Sequence, residues 1–164
     1  MLLWFVGGSW VAVWAVLGDP AVDYRLVIAG ALLPDVVDGA LGAARVGHAL
    51  VGGVVVLMAV MVLTYGRRGL RRRLLAVPIG IFVHLVLDGM WTDAHVFWWP
   101  FQGRALSSSG GLPSMAHPLA LGVVEEVAGA VALGWCWRRF RLGEPDRRSR
   151  FVRTGRLGRD SASR

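Results

Sequence analysis

Long apolar runs separated by short polar breaks dominate the chain, and runs of that length predict helices rather than strands. Four of them, Leu2 to Leu17, Val46 to Tyr65, Leu74 to Met90 and Leu119 to Trp137, are long enough to cross, or nearly cross, a hydrocarbon core of roughly 30 Å, which takes about 17 to 25 helical residues. A fifth run, Tyr24 to Leu33, ends at Pro34 and as a helix would reach only about 15 Å. It is expected to be a short tilted or re-entrant helix. Backbone that stops inside a membrane must lie against protein or a wet cavity, because unpaired peptide groups are costly in lipid. The expected fold is therefore all-α: a polytopic membrane helix bundle of four to five helices, one of them short or re-entrant.

Composition strengthens the membrane reading. Of 164 residues 55% are hydrophobic and eight are Trp, and the mean hydropathy is +0.53, above the usual range of soluble domains. The apolar core of Leu2 to Leu17 has no basic residue before it and no small-x-small cleavage pattern after it, so it is expected to be retained as a helix. Small residues four apart, at Ala49 and Gly53 and at Ala130 and Gly134, predict close helix packing. The lone Cys136 excludes an intramolecular disulfide and a cysteine-rich zinc site.

Charge then orients the bundle. All 18 basic residues are Arg and the net charge is +7. Arg67, Arg68, Arg71, Arg72 and Arg73 form one loop, and the second block runs from Arg138 to Arg164. Blocks placed beside apolar segments mark cytoplasmic ends, so nucleic acid is not an expected partner. The expected location is a bacterial plasma membrane, crossed several times, with a cytoplasmic C-terminus. Trp98 and Trp99 then belong to the outer interface, and Trp135 and Trp137 to the inner one. Residues 1–137 are expected to form the transmembrane domain. Residues 138–164, rich in Arg, Ser, Gly and Asp, are expected to be an unfolded tail attracted to anionic membrane lipid.

Ionisable residues set among apolar helices are expensive, and they mark a cavity or a partner. His84 and Asp88 are four apart on a predicted helix and share a face; Asp35 and Asp38 are three apart after Pro34; His48 opens the next segment. These two His and three Asp suit Zn, Mn or Fe, as one ion or two. The alternative is a metal-free cluster in which His84 and Asp88 hydrogen-bond to each other and to Asp35 or Arg45 and stabilise the bundle.

Ala31-Leu32-Leu33-Pro34-Asp35 with Asp38, Gly47-His48, then His84 and Asp88 followed by Trp99-Pro100-Phe101 resemble the membrane-bound metal-dependent hydrolases of the YdjM-like type. The likeness covers roughly residues 24 to 101. It implies a divalent-metal hydrolase. The family's additional His, with Arg-Gly ahead of the His matching His48, is replaced here by Ala44-Arg45-Val46-Gly47.

In such an enzyme a metal-activated water is the nucleophile, and Asp35 or Asp93 is the candidate base. His95, Glu125 and Glu126 are further candidates for the site. Arg45 and Arg104 are candidate contacts for a phosphate or carboxylate on the substrate. His117, beside Pro118, is expected to be interfacial. The expected substrate is amphipathic, a lipid or a phosphoester. Neither a phosphate-binding Gly-rich loop with its Lys nor a Gly-x-Ser-x-Gly elbow is present. A cation or proton relay, or a helical scaffold with a structural polar cluster, are the competing readings.

Overall fold

The computed structural model describes residues 1–40, 46–102 and 119–157. Its helices are α1 (Leu2–Leu17), α2 (Tyr24–Ala40), α3 (Leu50–Leu63), α4 (Arg68–Leu74), α5 (Ala76–Leu87), α6 (Ala94–Phe97), α7 (Leu119–Arg139) and α8 (Pro145–Thr154), with a single 3-10 turn at Met90–Thr92. No strand occurs among the described residues.

Two helix predictions need correction. Pro34 does not end α2, which continues to Ala40 for 17 residues, a rise of about 25 Å rather than about 15 Å. Proline inside a helix removes one backbone hydrogen bond, and here the Gly47 turn packs directly against the Pro34 backbone. The later runs form shorter helices than their apolar lengths suggest: α3 has 14 residues and α5 has 12. Polar breaks and turns take up the remainder. Among the described residues α7 is the one helix long and apolar enough to cross a membrane, while α1 and α3 are apolar but shorter. Val124, Val127 and Val131 on α7 and Val55, Met58 and Val62 on α3 are exposed.

The bundle is pinned by two close crossings. Gly30 on α2 and Gly80 on α5 each press against the other helix's backbone, so a Cβ on Gly30 would strike the Val77 carbonyl and one on Gly80 the Val27 carbonyl. Gly7 on α1 and Gly129 on α7 make the second crossing in the same way. Small residues permit such approach where side chains would hold helices apart. The predicted pairs were different. Gly53 does pack, against the Phe82 ring of α5, but Gly134 has open space around it and Ala130 is exposed.

The C-terminal segment is the other correction. Residues 145–154 form α8, and Phe140, Leu142 and Leu157 are buried with Trp10, Val13, Tyr24 and Val27 in the main core. Phe151 stacks on Trp10 with ring centroids 4.9 Å apart. Composition missed this because the few apolar residues of the segment find partners distant in sequence. The backbone is tied as well: Tyr24 N–H donates to the Gly155 carbonyl (2.9 Å) and Leu157 N–H to the Pro20 carbonyl (3.0 Å).

Asp23 joins the pieces at this end. Its buried carboxylate accepts from Arg25 (Nε 3.2 Å, Nη2 3.1 Å) and from Arg73 Nε (3.0 Å), while Arg25 also donates to the Val152 carbonyl. Burial alone would push the carboxyl upward, but the Arg25 and Arg73 hydrogen bonds and charges outweigh it and hold it below the ordinary Asp value. Arg72 pairs with Asp19 at 2.9 Å. Arg-rich α4, the 18–23 turn and the C-terminal segment thus share one end of the bundle.

Candidate metal centre

The Asp and His side chains gather towards the other end. Asp35 and Asp38 lie late in α2, His48 sits in the turn before α3, and His84 and Asp88 close α5. Each helix that supplies one starts or finishes at the Arg-rich end, so chain direction alone carries these residues away from it.

Asp38 and His48 are both fully buried. Asp38 Oδ1 accepts the Gly47 N–H at 2.7 Å, and its Oδ2 lies 2.7 Å from His48 Nδ1. An ionised carboxylate is acceptor-only. With the proton on His48 Nδ1, donated to Asp38, Nε2 presents a lone pair to the cluster. Gly47 makes this possible. A Cβ there would lie 2.9 Å from Pro34 Cα and 2.7 Å from the Pro34 carbonyl oxygen, forcing the turn away from α2.

His48 Nε2 stands 3.2 Å from His84 Nε2 and 3.3 Å from Asp35 Oδ1, and His84 Nε2 is 3.8 Å from the same oxygen. A circle through these three atoms has a radius of about 2.0 Å, the range of Zn–N and Zn–O bonds of about 2.0–2.2 Å. Asp35, His48 and His84 are thus close enough to hold one metal ion. Asp35 Oδ1 is buried and makes no hydrogen bond of good geometry, and with the proton on His48 Nδ1 it faces the Nε2 lone pair across 3.3 Å. A cation at that point satisfies all three atoms, and the residues fit the ion.

The remaining predicted residues separate into groups. Asp88 joins the cluster, with Oδ2 3.7 Å from His48 Nε2. Asp38 is outside the ligand triangle, because both its oxygens are taken by Gly47 and His48; it stands where an outer carboxylate would orient the His48 imidazole. Asp93 caps α6 by accepting the Val96 N–H at 3.3 Å, and His95 is exposed. Glu126 of α7 accepts the Leu3 N–H at 3.1 Å in the first turn of α1, satisfying a helix-end donor; Glu125, next to it on α7, is half-buried. Arg45, Arg104 and His117 lie outside the described residues.

Sequence reasoning overlooked Phe5. Its ring lies 4.1 Å from the His84 ring, centroid to centroid, and forms an apolar wall that fixes the imidazole. Nothing separates Phe5 from the other apolar residues of α1 except this three-dimensional contact. Comparisons with protein-family models, with curated proteins and with solved structures gave no match to this chain.

Proposed function

We propose that the chain is a polytopic membrane metallohydrolase of the kind its motifs resemble, acting on an amphipathic lipid or phosphoester. The observation that carries this reading is the Asp35–His48–His84 triangle, three ligand atoms on a circle of metal-bond radius with a buried carboxylate oxygen that makes no hydrogen bond of good geometry. Two nitrogens and one oxygen at these spacings favour Zn, with Mn and Fe as the alternatives. The exposed apolar faces of α3 and α7 support several crossings. The shorter helices would need tilt or local thinning of the bilayer.

A divalent ion here supplies Lewis acidity and makes water a stronger acid. The chain's own residues do the rest. Asp38 keeps His48 in the tautomer that presents Nε2, and Phe5 holds the His84 ring. Asp88 Oδ2, beside the ligands and not in their triangle, takes the proton that hydrolysis releases. Asp35 is the ligand that substrate can approach, since its side chain retains 25% exposure while both His side chains are fully buried.

A metal-free cluster is the competing reading. If His48 carried both protons, it would bridge Asp38 at 2.7 Å and Asp35 at 3.3 Å and simply brace the turn before α3 against α2. Elemental analysis of detergent-purified protein separates the two. About one Zn, Mn or Fe per chain, lost in His84→Ala and Asp35→Asn while both remain folded, supports the metallohydrolase. Metal-free wild-type protein, after growth and purification with added metal, selects the structural cluster.

A further inference from the structure

On α7, Val124, Val127, Val131, Trp135 and Arg138 recur at three- and four-residue steps, so they form one stripe along the helix. The three valines, Trp135 and Arg138 are exposed. Gly134 lies in that stripe with nothing within 4 Å of where a side chain would begin. A recess of about 500 Å³ opens there, lined by Val131, Gly134, Trp135, Arg138 and Arg139. Trp135 forms its aromatic wall and meets the buried ring of Phe140 edge-on, with centroids 6.2 Å apart. The helix end does not need these arginines for its last carbonyls: those of Cys136, Trp137 and Arg138 accept from the Phe140, Leu142 and Arg141 N–H groups. Glu144, the nearest acid along the chain, pairs with Arg141 and Arg147 instead.

We propose that this recess binds an anionic phospholipid, with the headgroup phosphate at Arg138 and Arg139 and an acyl chain lying over Gly134 and along the valine stripe. The proposal rests on the reading of α7 as a membrane crossing and not on the metal centre. Guanidinium groups match phosphate oxygens in geometry and charge, and an exposed Trp one turn before them suits a membrane interface. The missing side chain at Gly134 lets a lipid chain reach the helix backbone between Val131 and Trp135. An uncharged lipid fits the apolar part equally well, so the charge of the arginines is what selects an anionic one. A second copy of the chain fits less well. Copies in one membrane share an orientation, so α7 would meet α7 in parallel, with the arginines of both at one depth and repelling each other.

The test uses the full chain in phosphatidylcholine nanodiscs doped with a diazirine-bearing acyl chain on either phosphatidylglycerol or phosphatidylcholine. After illumination, the phosphatidylglycerol probe should label Val131 and Trp135 several-fold more than the phosphatidylcholine probe does, while exposed Val55 of α3 should take up both equally. Arg138→Gln with Arg139→Gln should abolish the excess, as should Gly134→Leu, which fills the recess; each is checked for unchanged melting. Arg148→Gln with Arg150→Gln removes the same charge from exposed positions of α8 and should retain the excess. Equal labelling by the two probes overturns the proposal, as does an excess that survives either recess variant or is lost equally with the α8 pair. Val131 labelled less than Val55 by both probes, with a cross-linked dimer, overturns it in favour of a second copy. If neither probe labels Val124 and Val127, the crossing by α7 falls and the proposal with it. If both probes label those valines and Val131 shows no excess, the crossing stands and the lipid site alone fails. Asp35→Asn should leave the excess intact, because the lipid site needs no metal.

Discussion

Replacing Asp38 with Asn tests the metal reading at a residue that does not touch the ion. The wild-type carboxylate faces two donors, Gly47 N–H and His48 Nδ1–H, each at 2.7 Å. An asparagine has one acceptor oxygen and a donating NH2, so it can serve only one of them. If the oxygen stays with Gly47, the NH2 faces His48 Nδ1 and the imidazole changes tautomer. Its proton then sits on Nε2, the atom that would bind metal. Loss of such an outer carboxylate costs about 10–100-fold in metal affinity, or about 1.4–2.7 kcal/mol. Without metal the flipped ring can donate to Asp35 Oδ1, 3.3 Å away, which offsets part of the loss, so the apo protein should melt close to wild type. The assay is Zn competition against a chromophoric chelator in detergent, with apo melting curves alongside. Affinity within about twofold of wild type, against the 10–100-fold expected, would refute the assigned tautomer and with it the ligand role of His48 Nε2. A large fall in apo stability with no change in affinity would do the same and would make Asp38 a purely structural residue.

Other outcomes follow from contacts already described. Gly47→Ala, whose Cβ would meet Pro34 and Asp38, should destabilise by about 1–3 kcal/mol as an overpacked site and weaken metal binding together with stability. Asp23→Asn should lower stability near neutral pH, and the gap from wild type should close on acidification. The sign follows from the depressed carboxyl of folded Asp23: its contribution is complete above the unfolded Asp value of about 3.9 and is lost as pH falls through the lower folded value. Melting in detergent between neutral pH and about pH 3 reads this, and a gap that widens in acid would refute it. Phe151→Ala removes the ring stacked on Trp10 and should cost about 1–3 kcal/mol in the same assay; an unchanged melting temperature would mean α8 is not docked. A phosphatase reporter fused after Arg164 should be inactive, and a fluorescent-protein reporter there active, if the Arg-rich end is cytoplasmic.

Much of the candidate centre was legible in the sequence because its logic is local. The four-residue step from His84 to Asp88 and the three-residue step from Asp35 to Asp38 fix shared helix faces whatever the surrounding fold. What was not legible is direction. Spacing could not say that Asp38 turns to Gly47 and His48 while Asp35 turns to the cluster, because that depends on how the 46–49 turn sits on α2. Pro34 misled for a different reason: its local preference ends helices, yet α2 runs through it to Ala40. The helix α8 was invisible to composition, since Phe151 and Leu157 join a core that includes Trp10 and Tyr24, more than a hundred positions away. Small-residue spacing within one helix found Gly53, which packs on Phe82, but missed the Gly30–Gly80 and Gly7–Gly129 crossings, because those pairs join different helices.

The Gly30–Gly80 crossing acts as a fulcrum for the site. Gly80 is one helical turn before His84 on α5, and Gly30 one turn before Pro34 on α2. Both ligand-bearing ends are thus short levers mounted on a single backbone-to-backbone bearing. A side chain at either glycine would spread the levers, and a separation growing by only a few tenths of an ångström at the bearing would be carried through to atoms now 3.2 to 3.8 Å apart. Variation at Gly30 or Gly80 should therefore present as a defect in ion capture before it presents as a loss of fold, although neither residue contributes an atom to the centre.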